Sequence, residues 1–312
     1  MLNRRHIRIK VMQSIYAMHQ NGSDQLEKEE KFLRQSIENL LDLYLIMLTA
    51  MSEIRRAELD FLDKAKRKHL STPEDRNPNL KFVNNAVLTA LEQSSSLSEA
   101  VESRKINNWR QNDDYILLLL KAVKESALYA DYMRTRENRF AEDRDFALRL
   151  FTEIIVPNEK LYDYLEDYKL TWVDDLPVVN THIAKQIRAF SADEVWRVPK
   201  LYKDEEDREF ASQLFRRTVL NESEFAKEYI DKTPNWDTER IAEIDTIILK
   251  MAICEFLRFP SIPVKVTINE YLEIAKEYST PKSSIFINGI LDNLVKEFQT
   301  KEKLKKTGRG LM

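Results

Sequence analysis

The sequence predicts an all-α protein, and three observations lead to this prediction. Only four glycines and nine prolines occur among 312 residues, whereas the good helix formers Leu, Glu, Lys, Ala and Arg are abundant. Apolar residues recur three and four positions apart along most of the chain, which is the period of an amphipathic helix. The alternation of apolar and polar residues that marks a half-buried strand is not sustained over any segment. We therefore expect helices packed on helices.

Apolar stripes and helix breakers set the limits of the N-terminal and central helices. Ile7, Val11, Ile15 and Met18 form one stripe of a first helix, which Asn21-Gly22 ends. Further helices are predicted over residues 26–68, 84–93, 97–105 and 113–134, with a proline-containing loop over residues 71–79.

The C-terminal region has the most regular helical pattern. Asp237 or Thr238 can cap the free N–H groups of a helix, and Pro260 and Pro263 end that helix. Two more helices are predicted, one over residues 266–278 and one from Pro281 onward, with Thr280 as the N-cap of the second.

An internal repeat links the centre of the chain to the C-terminal region. The segment 143–172 resembles the segment 207–236, with eight identities over thirty positions and no gap. Asp143-Arg144-Asp145-Phe146-Ala147 opens the first copy, and Trp172 and Trp236 close the two copies. The matched tryptophans favour a duplicated helical module, in which the first copy is degenerate. Chance similarity between two amphipathic helix pairs is the alternative.

Composition predicts a soluble protein of a reducing cytoplasm. The mean hydropathy is −0.49, 32% of residues are charged, and no apolar run approaches a membrane span. The N-terminus is basic but lacks the apolar run and small-residue site of a secretion signal. A single cysteine, Cys254, excludes an internal disulfide framework, and it lies in an apolar helical stretch where a buried thiol is expected.

Catalytic and cofactor-binding patterns are missing from the sequence. None of the four histidines has a His or Cys partner at metal-ligand spacing, so no metal site is predicted. Phosphate-cradling loops need clustered glycines, but the glycines stand at positions 22, 289, 308 and 310. We therefore predict no cofactor and no enzymatic activity, which disfavours an RNA-modifying enzyme.

Positive charge is concentrated at the two ends of a chain whose net charge is −3. No acidic residue precedes Asp24, whereas Arg4, Arg5 and Arg8 fall within about 100° of arc on a helix. Cations in the first turns of a helix oppose its macrodipole, so this arm favours an external anion such as phosphate. A solvated helix start is the alternative. The basic residues of the tail are Lys301, Lys303, Lys305, Lys306 and Arg309.

Aromatic residues near the basic arm favour single-stranded RNA as the anion. Bases of single-stranded RNA commonly stack on rings beside a basic surface. Tyr16 has an azimuth on the first helix similar to that of Arg5. Phe286 lies one turn inside a helix whose start carries Lys282 and Ser283. A core position is the alternative for Phe286.

The chain resembles the NusB family of transcription antitermination factors in two blocks. The first block is residues 4–18, which contains the arginine arm. The second is residues 207–295, which contains, in order, Phe210 with Leu214, Arg240, Asp245, Leu249, Glu255-Phe256, Ile262-Pro263, Ile268-Asn269-Glu270, Ala275-Lys276 and Phe286-Ile287-Asn288-Gly289.

This resemblance implies a small helical bundle without an active site. NusB proteins bind the boxA element of nascent RNA together with NusE, a ribosomal protein, in a complex that modifies RNA polymerase and supports ribosomal RNA synthesis. The alternative is a helical scaffold that binds a NusE-like partner without RNA. By position, the RNA-binding residues would be Arg4, Arg5, Arg8, Gln13, Tyr16, Lys282, Ser283 and Phe286, and the NusE-facing residues would be Glu239 and Asp245.

The resemblance also implies a domain organisation. Residues 1–22 and 205–300 are predicted to form a NusB-like domain. Residues 23–204 form an additional helical insertion that contains the first repeat copy, and residues 301–312 form a basic tail. Ordinary family members have a much shorter connection between the two blocks, so the insertion is the chain's most distinctive feature.

Overall fold

A computed structural model describes residues 1–70, 72–230, 232 and 242–311. Every regular element in this part of the chain is helical, so the all-α prediction is confirmed. Within the same residues, no helix has the length and apolar character needed to cross a membrane.

The chain forms two compact units. Unit 1 comprises Met1–Ile37 with Leu201–Met312, and unit 2 comprises Glu38–Lys200. The predicted NusB-like domain and insertion have nearby but different limits, and their assignment stays a prediction. Helix α2, Leu26–Lys66, contributes its first part to unit 1 and the rest to unit 2.

Unit 1 is built around the first helix, α1, Arg4–Gln20. The side chain of Asn3 accepts a hydrogen bond from the backbone N–H of His6 at 3.0 Å and caps α1. Every side chain from Ile7 to Met12 is buried, so the middle of α1 is covered on all sides. The other helices are α12 Glu205–Leu220, α13 Glu222–Ile230, α14 Glu243–Arg258, α15 Val264–Tyr278 and α16 Ser283–Thr300.

The helix starts of unit 1 differ from the prediction in two places, and a third predicted start is not among the described residues. The predicted start at 236–238 lies outside the described residues, and α14 is described from Glu243. Helix α15 begins at Val264, directly after Pro263, whose fixed φ suits an N-cap. Helix α16 begins at Ser283 rather than at Pro281. Cys254 is buried in α14 as expected, and burial raises the pKa of its thiol to about 12.

Unit 2 contains shorter helices. The predicted helix 113–134 is interrupted at Ser126, whose extended backbone ends one helix and whose hydroxyl caps the next by accepting from the N–H of Tyr129. The helices are α3 Pro73–Arg76, α4 Ala86–Glu92, α5 Ser95–Ser103, α6 Asn108–Gln111, α7 Asp113–Glu125, α8 Ala127–Tyr132, α9 Phe140–Arg149 with a π-helical continuation Leu150–Ile155, α10 Glu159–Tyr168 and α11 Leu176–Ala189.

The two repeat copies place their matching aspartates in similar positions. Asp143 in α9 and Asp207 in α12 are both buried. Asp143 accepts a hydrogen bond from the backbone N–H of Ala86, the first residue of α4, at 2.8 Å. Asp207 accepts from Nε of Arg4, the first residue of α1, at 2.7 Å. This likeness supports a duplicated module, which stays a prediction because Trp236 lies outside the described residues.

The basic tail packs on unit 1 through its lysines. Lys303 Nζ donates to Glu228 at 2.7 Å. Lys306 Nζ donates to the carbonyls of Glu255 and Phe259, at 3.1 and 3.0 Å, near the end of α14. The ammonium groups of both lysines are therefore hydrogen-bonded within unit 1.

Candidate functional site

The arginines of the arm have carboxylate partners within unit 1. Arg4 donates from Nε to Asp207 at 2.7 Å and from a terminal nitrogen to Glu206 at 2.6 Å. Arg5 donates two bonds of 3.0 Å to the carboxylate of Glu270. Helices α12 and α15 therefore supply anions to the arm that the sequence analysis did not identify.

Arg8 differs from the other two arginines by being fully buried. It donates to both oxygens of Glu255, at 2.6 and 2.9 Å, and its side chain is only 2% exposed. Glu255 also accepts from the hydroxyls of Tyr271 and Thr267, at 2.7 and 3.2 Å. Four donated bonds satisfy this buried carboxylate, so Arg8 connects α1 to α14 and α15 inside the fold.

A cleft of about 750 Å³ opens beside the start of α1. Arg4 and Arg5 lie on one wall, and the segment 261–263 between α14 and α15 lies on the other. The side chain of Arg5 is 39% exposed, so part of its guanidinium is accessible to a ligand in this cleft. The cleft is therefore the surface at which the arm can meet an anion.

Tyr16 lies apart from the arginines. Eleven residues at 1.5 Å per residue place it about 16 Å from Arg5 along α1. Ile9 and Met12 share the azimuth of these two residues but are buried, so no continuous surface joins them. Tyr16 is 37% exposed and Gln13 is half-buried, at the other end of the helix.

The predicted residues of α14 and α16 meet one another. Ser283 is buried, and its hydroxyl donates to Asp245, also buried, at 2.7 Å. Lys282 is exposed beside Ser283, and Phe286 is half-buried one turn further on. The hydroxyl of Ser283 is therefore committed to the fold. Glu239 lies outside the described residues.

The sequence interpretation missed the acidic partners of the arm. Glu255 and Glu270 were part of the family resemblance, but nothing local connects them with Arg8 and Arg5, which lie about 250 residues away. One signal was present, since Glu255 is a charged residue in an apolar helical run and requires a buried partner.

A second missed cluster centres on His19, near the end of α1. Its Nε2 lies 2.8 Å from Glu222, and its Nδ1 lies 3.0 Å from Glu243. Lys250 donates to the other oxygen of Glu222 at 2.8 Å. The hydrogen bond with Glu222 raises the pKa of His19 above its ordinary value, against the opposing effect of partial burial.

This cluster predicts a pH-dependent contribution to stability. Because the folded state raises the pKa of His19, its contribution is fully present below the unfolded pKa of about 6.5 and is lost as pH rises through the folded value. We expect His19→Gln to lower the free energy of unfolding by about 0.5–1 kcal/mol near pH 5.5 and by less near pH 8.5. Urea unfolding of both proteins at the two pH values measures this difference, and a constant difference would contradict it.

The fold and the arm together define an all-helical protein with an arginine-bearing first helix packed on a C-terminal helical bundle. A model of the NusB family matches residues 178–296. The match begins within α11 of unit 2 and does not include the arm. The comparison with solved structures finds no match.

Three curated relatives are each named transcription antitermination protein NusB. The protein of Salinibacter ruber is 47% identical over 117 residues, which cover 37% of this chain and 72% of the relative. That of Koribacter versatilis is 41% identical over 102 residues, covering 33% and 70%. That of Chloroherpeton thalassium is 36% identical over 132 residues, covering 41% and 63%.

The chain belongs to the NusB family, as its resemblance predicted. Members of this family are non-catalytic, so the prediction that the protein is not an enzyme is confirmed. Membership also supports a role in transcription antitermination.

Proposed function

We propose that the protein is a cytoplasmic antitermination factor that binds single-stranded RNA of the boxA type together with NusE. In this role it joins the RNA polymerase antitermination complex and supports ribosomal RNA transcription. The observation that supports RNA binding most directly is the pair of partly exposed arginines, Arg4 and Arg5, beside an open cleft.

Ion pairing leaves the arm able to bind phosphate. A guanidinium has five N–H donors. Arg5 uses two of its nitrogens on Glu270, and Arg4 uses two on α12. The remaining N–H donors can bind a phosphate oxygen without breaking either ion pair. The carboxylates hold the two guanidinium groups in place. Arg8 is buried, so its proposed contribution is to position α1 rather than to touch RNA.

Residues near the other end of α1 and at the start of α16 form a separate group of candidate contacts. Lys282 is exposed and can bind phosphate, whereas Tyr16 and the half-buried Phe286 present ring surface for base stacking. Gln13 is a further polar contact there, and Ser283 positions the start of α16. The partner surface for NusE is proposed around Asp245, with Glu239 as a weaker candidate.

One observation favours the scaffold alternative, in which the protein binds a NusE-like partner without RNA. All three arginines of the arm have carboxylate partners in the same unit. Phosphate must therefore approach a site where Glu206, Asp207 and Glu270 repel it. Measurement of the RNA affinity will distinguish the two functions.

Fluorescence anisotropy with a boxA-like RNA, with a scrambled RNA and with and without NusE tests the proposal. We expect sequence-dependent binding that NusE strengthens. Arg5→Gln should weaken it about five- to tenfold, because it removes a charged donor to phosphate. The slope of log affinity against log salt should fall by about 0.7 for one lost contact. Glu270→Gln should strengthen binding, because it removes a repelling carboxylate.

A matched control for these variants is available in unit 2. Arg149 forms a bidentate pair with Glu153, at 2.8 and 3.2 Å, like that of Arg5 with Glu270. Arg149→Gln should leave RNA affinity unchanged. An equal loss of RNA affinity in Arg5→Gln and Arg149→Gln would contradict a specific role of the arm in RNA binding. NusE binding without RNA binding would establish the scaffold function.

A further inference from the structure

A row of aromatic rings crosses one face of unit 2. The rings of Tyr115 and Tyr164 have centroids 4.7 Å apart, and those of Tyr164 and Tyr168 are 5.9 Å apart. Trp109 lies beside the middle ring, at 5.7 Å from Tyr164, and Trp172 extends the row beyond Tyr168, at 5.4 Å. We call the three tyrosines of this row the tyrosine face.

The tyrosine face is accessible but fixed in position. Tyr168 is 52% exposed, whereas Tyr115 and Tyr164 are half-buried. The two tryptophans are buried, and each indole N–H donates to a backbone carbonyl, Trp109 at 3.0 Å and Trp172 at 2.9 Å. The hydroxyl of Tyr164 accepts from Asn108 at 2.8 Å. Rings held in this way form a preorganised binding surface, which reduces the entropic cost of binding.

Four carboxylates lie on the helices that carry the tyrosine face. Asp113 and Asp114 lie in the first turn of α7, directly before Tyr115. Asp163 and Asp167 precede Tyr164 and Tyr168 on α10. In the part of the chain that the structure describes, none of these four carboxylates forms an ion pair. The cations of α6 and α10 are Arg110 and Lys160. Lys169 follows Tyr168, and its Nζ lies 5.0 Å from the centre of the Trp172 ring and 3.7 Å from a carboxylate oxygen of Asp42. The four aspartates outnumber these three cations, so negative charge predominates around the rings.

We propose that the tyrosine face binds an arginine-rich segment of a basic partner protein. A guanidinium stacks on the face of a tyrosine ring and donates paired hydrogen bonds to a neighbouring carboxylate. Asp167 lies three residues after Tyr164 on α10 and therefore on the same side of the helix, which places a ring and a carboxylate within reach of one guanidinium. RNA would use the rings alone, because four unpaired carboxylates repel its phosphates. This inference concerns unit 2 and does not depend on the function proposed for the arm.

The test titrates the full-length protein against two fluorescein-labelled peptides of equal length and charge, one with repeated Arg-Ser and one with repeated Lys-Ser. We expect saturable binding that is severalfold tighter for the arginine peptide, because lysine stacks less well on rings. Tyr168→Ser should weaken binding of the arginine peptide about fivefold. Asp163→Asn with Asp167→Asn should weaken it further and reduce its salt dependence.

Tyr162→Ser is the matched control, since Tyr162 lies on α10, is 39% exposed and forms no ring contact in the row. Its affinity for the arginine peptide should equal that of the unmodified protein. Thermal melts of both serine variants separate the loss of the stacking of Tyr168 on Trp172 from the loss of peptide binding. Three outcomes overturn the proposal: equal affinity for the two peptides, equal weakening by the two serine variants, or binding of single-stranded oligonucleotide that Tyr168→Ser abolishes.

Discussion

Replacing Arg8 by methionine is expected to lower the free energy of unfolding by about 3–5 kcal/mol, because it leaves a buried carboxylate without its cation. Glu255 is 0% exposed and accepts two bonds from Arg8, at 2.6 and 2.9 Å. Methionine preserves most of the packing volume, so the loss reports chiefly the missing charge. Urea unfolding near neutral pH, followed by far-UV circular dichroism, measures it.

Two further variants separate the buried charge from other effects of this substitution. Arg8→Met combined with Glu255→Gln should recover about half of the loss, because the neutral amide still accepts a bond from Tyr271. Arg5→Gln should cost no more than about 1 kcal/mol, because the pair with Glu270 is partly exposed. A loss below 1 kcal/mol for Arg8→Met would mean that Glu255 finds another donor or takes up a proton.

The difference in burial between Arg5 and Arg8 follows from helix geometry, but the sequence does not reveal which of the two side chains is buried. Three residues rotate the helix by 300°, so the two side chains differ in azimuth by 60°. That rotation is enough to point Arg8 towards the core and leave Arg5 at the cleft. From the sequence alone, both fall on one basic arc, because the direction of the core depends on helices more than 180 residues away.

Local signals predicted most of the helices for physical reasons that act over a few residues. Asn21-Gly22 ends α1 where the prediction placed it, and Gly22 adopts a positive φ of 57°. The break at Ser126 escaped the prediction, because the apolar stripe continues across it. The start of α16 lies two residues after the predicted position, at Ser283. The partners of Arg4, Arg5 and Arg8 are long-range contacts that periodicity cannot predict.

Asp143→Ala is expected to lower the free energy of unfolding of unit 2 by about 3 kcal/mol, because several buried donors lose their acceptor. The carboxylate accepts from the hydroxyl of Tyr132, from Asn138 at 3.0 and 3.1 Å, and from the N–H of Ala86 at 2.8 Å. Three of the four tryptophans lie in unit 2, so tryptophan fluorescence during urea unfolding reports this loss.

Asp207→Ala is the matched control, because the same residue of the second repeat copy has different partners. Asp207 pairs with Arg4, which is 30% exposed and keeps Glu206 as a partner. We expect a loss of no more than about 1 kcal/mol. Comparable losses in the two variants would contradict this assignment. A large difference would mean that the matched aspartates have diverged in function, with Asp143 organising the core of unit 2 and Asp207 orienting the arm of unit 1.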